Sequence, residues 1–281
     1  MDYTLNCNGR LLDLSTPQVM GILNVTPDSF YAGSRKQSEQ EIVARTHQIL
    51  EEGGTILDVG GFSTRPGAQE VDEAEEMRRL RYALALVRRE APDAVVSVDT
   101  YRPAVARMVV EEFGVDIIND VSEGGITGIV NTPLEQEAGT VPAMFRMVAR
   151  LRVPYILMSV QPTIREMLLC FAREVDMLRS LGQKDIILDP GFGFGKTLEQ
   201  NYEVMRDLDQ LRLVQLPVLV GVSRKSMIYK KLGFEPTDAL NGTTVLNTVA
   251  LQKGASILRV HDVKEAVECV KIMAATMSQY R

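Results

Sequence analysis

The chain has 281 residues, 45% hydrophobic and 24% charged, with no long apolar run, which excludes a disordered or membrane-spanning chain and suits one large core. A net charge of −6 argues against nucleic acid or an anionic membrane as a partner, since both select clustered lysine and arginine. No basic-then-apolar leader opens the chain, and Cys7, Cys170 and Cys269 are odd in number and far apart, so the expected setting is the cytoplasm, with reduced thiols packed as small apolar groups.

Residues Tyr3 to Leu14 alternate polar and apolar around Asn8 and Gly9, a hairpin signal, and Pro17 separates this segment, residues 1–17, from the rest of the chain. A repeating unit then begins: a short apolar strand, a polar loop and an amphipathic helix. The strands are expected at Val19 to Leu23, Ile56 to Val59, Val95 to Val98, Ile117 to Ile118 with its flanks, Tyr155 to Met158, Ile186 to Leu188, Val218 to Val222 and Ile257 to Val260. Helical spacing separates them, for instance over Glu39 to Glu51, Glu73 to Arg89, Pro103 to Phe113 and Val263 to Met277. Such alternation predicts an α/β fold, a (β/α)₈ TIM barrel formed as one domain over residues 1–281, with the hairpin capping its bottom. A doubly wound open sheet is the alternative. Residues 122–141, glycine-rich and without a clear period, read as an extended loop after the fourth strand.

Barrels of this kind gather their chemistry at the C-terminal strand ends. The apolar runs here stop on Asn24, Asp58, Asp99, Asn119 with Asp120, Asp189, the stretch Ser223 to Ser226, and the stretch Arg259 to Asp262. Any one of these residues is more often a helix cap or turn former than a ligand. Together they offer carboxylates, amides and cations to a heterocycle rich in donors and acceptors, with Arg65, Lys225, Arg259 and His261 suited to phosphate. After Asp189 and Pro190 three glycines, Gly191, Gly193 and Gly195, alternate with Phe192 and Phe194. This is either a tight surface turn or the floor of a pocket for a flat ligand. His47 and His261 are the only histidines, so a histidine-ligated metal is not expected, and neither nucleotide-binding glycine motif is present.

The runs Met20 to Phe30, Ser63 to Gly67, Ser97 to Thr100, Ile118 to Asp120, Asp189 to Lys196, Ser223 to Ser226 and Arg259 to Asp262, in this order, resemble the dihydropteroate synthase family of folate biosynthesis. The resemblance implies a (β/α)₈ barrel that condenses 6-hydroxymethyl-7,8-dihydropterin pyrophosphate with 4-aminobenzoate by dissociative displacement, releasing pyrophosphate. It implies catalytic roles for Asp99, Asp189, Lys225 and Arg259. The pterin would meet these four together with Asn119, Met158, Phe194 and Gly221. The 4-aminobenzoate would meet Thr64, Pro66, Phe194, Lys225 and Ser226, and the pyrophosphate Asn24, Thr64, Arg65, Arg259 and His261. It further implies Mg²⁺ on Asn24, small-molecule substrates and a homodimer. The chain departs from the family's usual pattern at Phe62, at Tyr31 with Ala32, and at Ser159 with Val160. A non-catalytic pterin-binding paralogue and a methyltetrahydrofolate-dependent methyltransferase are the competing readings.

Overall fold

A computed structural model of the chain describes residues 3–25, 35–62, 71–125 and 141–277. Thr64, Arg65 and Pro66, the first-loop residues Tyr31 and Ala32, and most of the extended loop after the fourth barrel strand lie outside the described residues.

Strands β1 (Thr4–Cys7) and β2 (Arg10–Asp13) form the expected antiparallel hairpin. Asn8 (φ 51°) and Gly9 (φ 85°) turn it, both in the left-handed region that this pair tolerates. Asn8 Nδ2 also donates to the Gly114 carbonyl at 3.0 Å and to Asp116 at 3.1 Å, tying the turn to the barrel.

Eight parallel strands come next: β3 (Gln18–Asn24), β4 (Ile56–Gly60), β5 (Val95–Asp99), β6 (Ile117–Asp120), β7 (Tyr155–Met158), β8 (Ile186–Asp189), β9 (Leu219–Val220) and β10 (Ile257–Val260). They pair in the order β8-β7-β6-β5-β4-β3-β10-β9. A bridge from Leu188 to Val218, with the Leu188 amide donating to the Pro217 carbonyl at 2.9 Å, nearly closes the ring. Strand β9 is shorter than the expected Val218 to Val222. The backbone leaves the ladder after Val220 because Arg224 takes a left-handed φ of 53° and the Lys225 amide turns back onto the Val222 carbonyl.

Helices α1 (Arg35–Glu51), α2 (Glu73–Glu90), α3 (Pro103–Phe113), α4 (Ala143–Leu151), α5 (Ile164–Ser180), α6 (Leu198–Arg206), α7 (Ser226–Leu232), α8 (Leu240–Gln252) and α9 (Val263–Met277) link the strands. Their starts are chemically marked: Asp72 caps α2 by accepting from the Glu75 amide, and Thr197 with Gln200 closes a capping box on α6. Among the described residues no helix is long and apolar enough to cross a membrane.

Strand side chains alternate between two apolar layers. One set, including Val19, Leu23, Leu57, Val59, Val96, Val98, Leu157 and Leu188, packs outward with the helices. Gly21 serves the same contact, since a Cβ there would lie 2.5 Å from Ile49 Cγ2, so its absence lets α1 approach β3. The other set, Met20, Ile56, Ile117, Ile156, Ile187, Leu219 and Ile257, fills the barrel bottom, where Leu5, Cys7 and Leu14 of the hairpin segment plug it. With that end sealed, the polar strand ends at the top are the accessible face.

Candidate active site

At the top of the barrel, Arg259 near the end of β10 lies between two carboxylates. Its Nε donates to Asp58 Oδ2 at 2.7 Å and its Nη2 to Asp99 Oδ2 at 3.1 Å. Asn119 Nδ2 donates to both Asp58 oxygens at 3.4 and 3.3 Å. Burial alone would lower the Arg259 pKa, but Asp58 and Asp99 outweigh it and hold the guanidinium above its ordinary value. Burial, opposed by Arg259 and assisted by the charge on Asp58, pushes the Asp99 carboxyl up to about 7. Asp99 Oδ1 and Asn119 Oδ1 are buried without a hydrogen-bond partner among the described residues. A buried acceptor in that state is costly unless something donates to it, so the site is built to receive N–H groups.

The turn after β8 forms the adjoining wall. Asp189 Oδ1 accepts from the Gly191 amide at 2.8 Å, and burial raises the Asp189 pKa against the opposing charge of Lys225. Gly191 (φ 64°) has no substitute: a Cβ would fall 2.2 Å from the Ser159 carbonyl oxygen. The turn is therefore not an exposed surface turn, because its acid is buried. Lys225, at the entry to α7, donates from Nζ to the Phe192 carbonyl and stands 4.7 Å from the centre of the Phe194 ring. Burial, offset in part by Asp189, brings its pKa down to about 8. Val121 and Met158 form an apolar patch against which Val160 and Phe194 pack. Gly221 lies beside Arg259, whose Cβ a methyl there would touch at 3.8 Å.

On the rim, Asn24 ends β3 with its side chain exposed. Ser223 Oγ contacts His261 Nδ1 at 3.1 Å and accepts from the His261 amide at 3.1 Å. When Nδ1 accepts the Ser223 proton, Nε2–H is left as the ring's donor, which suits an anion. Ser226 opens α7, directly after Lys225.

Asp99, Asn119, Met158, Asp189, Phe194, Gly221, Lys225 and Arg259 are thus drawn to one end of the barrel, with Asn24, His261 and Ser226 at its edge. Three further residues matter that the sequence did not single out for a role. Asp58 holds both Arg259 and Asn119, and the only signal for it was that it ends an apolar run. Lys196 donates to the carbonyls of Ser159 (3.2 Å), Gly191 (3.0 Å) and Phe194 (3.3 Å), pinning the turn to the end of β7. Arg224 makes a two-pronged pair with Asp262, at 2.9 and 2.8 Å, so this cation of the Ser223 to Ser226 stretch braces two loops.

Of the positions that depart from the family pattern, Phe62 packs edge-on against Tyr101 at 5.2 Å, and Ser159 Oγ donates to Glu123 at 2.9 Å.

The profile of a family described as pterin binding enzyme matches residues 20–261. A dihydropteroate synthase of Escherichia coli (strain K12) is 37% identical over 276 residues, covering 98% of this chain and 96% of that one. The structure of Xanthomonas albilineans dihydropteroate synthase with 4-aminobenzoic acid superposes with a TM-score of 0.86 at 35% identity, covering 99% of both chains. The same enzyme in complex with 7,8-dihydropteroate gives 0.81 at 31% identity, covering 98% of both.

Proposed function

The chain belongs to the pterin-binding enzyme family, and on that basis we propose that it condenses 6-hydroxymethyl-7,8-dihydropterin pyrophosphate with 4-aminobenzoate to 7,8-dihydropteroate and pyrophosphate, the transferase reaction of a dihydropteroate synthase. The observation that carries this reading is the set of enclosed acceptors, Asp99, Asn119 and Asp189, facing one barrel end beside the cations Lys225 and Arg259.

In this reading Asp189 accepts from the 2-amino group and ring N–H of the pterin, while Asp99, Asn119 and Lys225 meet its other edges. Met158 and Phe194 flank the flat ring, and Gly221 leaves room beside Arg259. The C–O bond to pyrophosphate breaks with its electron pair going to the leaving group. The positive charge left on the pterin methylene spreads into the ring, where the Asp99 and Asp189 carboxylates stabilise it. The lone pair of the arylamine then forms the C–N bond and the nitrogen releases a proton. Ser226, Lys225, Phe194, Thr64 and Pro66 hold the 4-aminobenzoate, and Asn24, Thr64, Arg65, Arg259 and His261 hold the pyrophosphate.

The family implies Mg²⁺, and the residues fit it. Asn24 is exposed at the strand end and offers one amide oxygen, Oδ1, 3.6 Å from the point where a Cβ on Gly60 would stand. One hard protein oxygen beside substrate phosphate oxygens and water is the donor set that Mg²⁺ takes. When bound, the ion neutralises charge on the departing pyrophosphate.

We also propose one domain over residues 1–281, a cytoplasmic setting and a homodimer. Free thiols at Cys7, Cys170 and Cys269 support a reducing compartment. Helices α8 and α9 pack together, and each carries an exposed aliphatic side chain, Val245 and Ile272, which we take as the surface to test for self-association.

The test supplies the purified protein with both substrates and Mg²⁺. Stoichiometric pyrophosphate and dihydropteroate are expected, whereas calorimetric binding of the pterin pyrophosphate without product would replace this reading by that of a binding paralogue.

A further inference from the structure

Behind the wall formed by β7, away from the pterin-facing residues, three ligating side chains converge. Cys170 and Glu174 stand one turn apart on α5, a spacing that puts both on one face. Glu123 comes from the turn after β6. One ligand atom from each, the thiol sulfur and two carboxylate oxygens, lies within 4.8 Å of the others. Glu123 and Glu174 are fully buried and Cys170 is half-buried.

Two features separate this cluster from an ordinary acidic patch. Both Glu174 oxygens are enclosed without a hydrogen-bond partner among the described residues. Arg173, the cation paired with it among the described residues, is 3.7 Å away with its side chain 64% exposed, and its Nη2 to Cys170 Sγ contact is 3.9 Å, so neither is a good compensating bond. Glu123 faces the same point while Ser159 donates to its Oε1, the outer-sphere bond that a ligating carboxylate commonly accepts.

We propose that Glu123, Cys170 and Glu174 bind a borderline-soft divalent cation of the Zn²⁺ class. Tetrahedral zinc with bonds of about 2.0–2.3 Å sets its ligand atoms roughly 3.2–3.7 Å apart, so the three groups, now within 4.8 Å of one another, close inward by about 1 Å on binding. A thiolate with two carboxylates excludes Mg²⁺, which takes all-oxygen sites, and makes this site distinct from Asn24. The ion neutralises two buried carboxylates and staples α5 to the ends of β6 and β7. Through Ser159, whose carbonyl holds Lys196 and whose amide donates to the Asp189 carbonyl at 2.8 Å, it stiffens the back of the pterin wall.

The experiment titrates Co²⁺ into the metal-stripped full-length protein. One equivalent is expected to give a thiolate-to-cobalt charge-transfer band, displaced by Zn²⁺ and untouched by excess Mg²⁺. Cys170→Ser should abolish the band, and Glu174→Gln should weaken cobalt binding at least tenfold, with both variants retaining the native circular dichroism spectrum. Thermal unfolding of the wild type should also shift upward with Zn²⁺, a readout that does not depend on any variant folding, and an unchanged wild-type midpoint would overturn the site. Absence of the band at stoichiometric Co²⁺, its survival in Cys170→Ser, or unchanged affinity in Glu174→Gln would overturn the site in favour of two carboxyls sharing a proton.

Discussion

Lys225 is the residue on which most of the proposed chemistry converges, since it stands over Phe194 and within the field of both Asp189 and Arg259. Its removal should lower kcat/KM by about 10²–10³, the range for a lost electrostatic donor at a developing charge, with little change in thermal stability. Burial lowers its pKa to about 8, so its ammonium is present below that value and is lost as pH rises through it. The pH profile of kcat/KM should therefore fall on the alkaline side with a midpoint near 8. Lys196 is lowered to about 8 by the same cause, and the two are separable. Lys225→Arg stays charged and should move the limb upward, and a limb that stays in place in that variant assigns it to Lys196. Asp58 is the other residue whose role is sharp. Asp58→Asn leaves Arg259 with Asp99 alone, so the destabilisation, read by denaturant unfolding, should sit at the low end of the roughly 3–5 kcal/mol for a broken buried pair. Neither Asp58 nor Lys196 was legible in its role, because a sequence shows that an acid ends a strand but not that an arginine 201 positions away closes onto it.

At the level of elements, the hairpin and the glycine turn act at opposite ends of the barrel. Leu5 is fully buried against the bottom layer, so Leu5→Ala should cost about 2–5 kcal/mol in unfolding free energy while KM for both substrates stays unchanged. Gly191→Ala should do the reverse: its Cβ meets the Ser159 carbonyl, the Asp189 carboxyl is displaced, and pterin binding measured by calorimetry is lost before global stability is. The strands were legible because parallel barrel strands are buried on both sides and read as short unbroken apolar runs. Strand β9 was overread, since Val222 is apolar for packing and not for sheet pairing. The conformation of Arg224 that ends the ladder leaves no mark in residue type.

For the whole molecule, the barrel explains how residues scattered from Asn24 to His261 face one mouth, and the plugged bottom explains why only one end is available. The proposed homodimer is open to size-exclusion chromatography with light scattering. The wild type should elute as a dimer, and Val245→Glu with Ile272→Glu should shift it toward the monomer, whereas an unchanged dimer would place the interface elsewhere.

The order of residues along the chain is enough to specify the repeat of strand and helix, the sealing hairpin and the polar residue at seven of the eight strand ends. Periodicity, turn chemistry and the rule that barrels react at their C-terminal face account for these. Which polar ends pair with one another is settled only in three dimensions. Asp58 with Arg259, Lys196 with three carbonyls, and Glu123 with Cys170 and Glu174 are contacts across the barrel or between neighbouring elements. Such contacts depend on the curvature and closure of the sheet, which no local pattern of residues encodes.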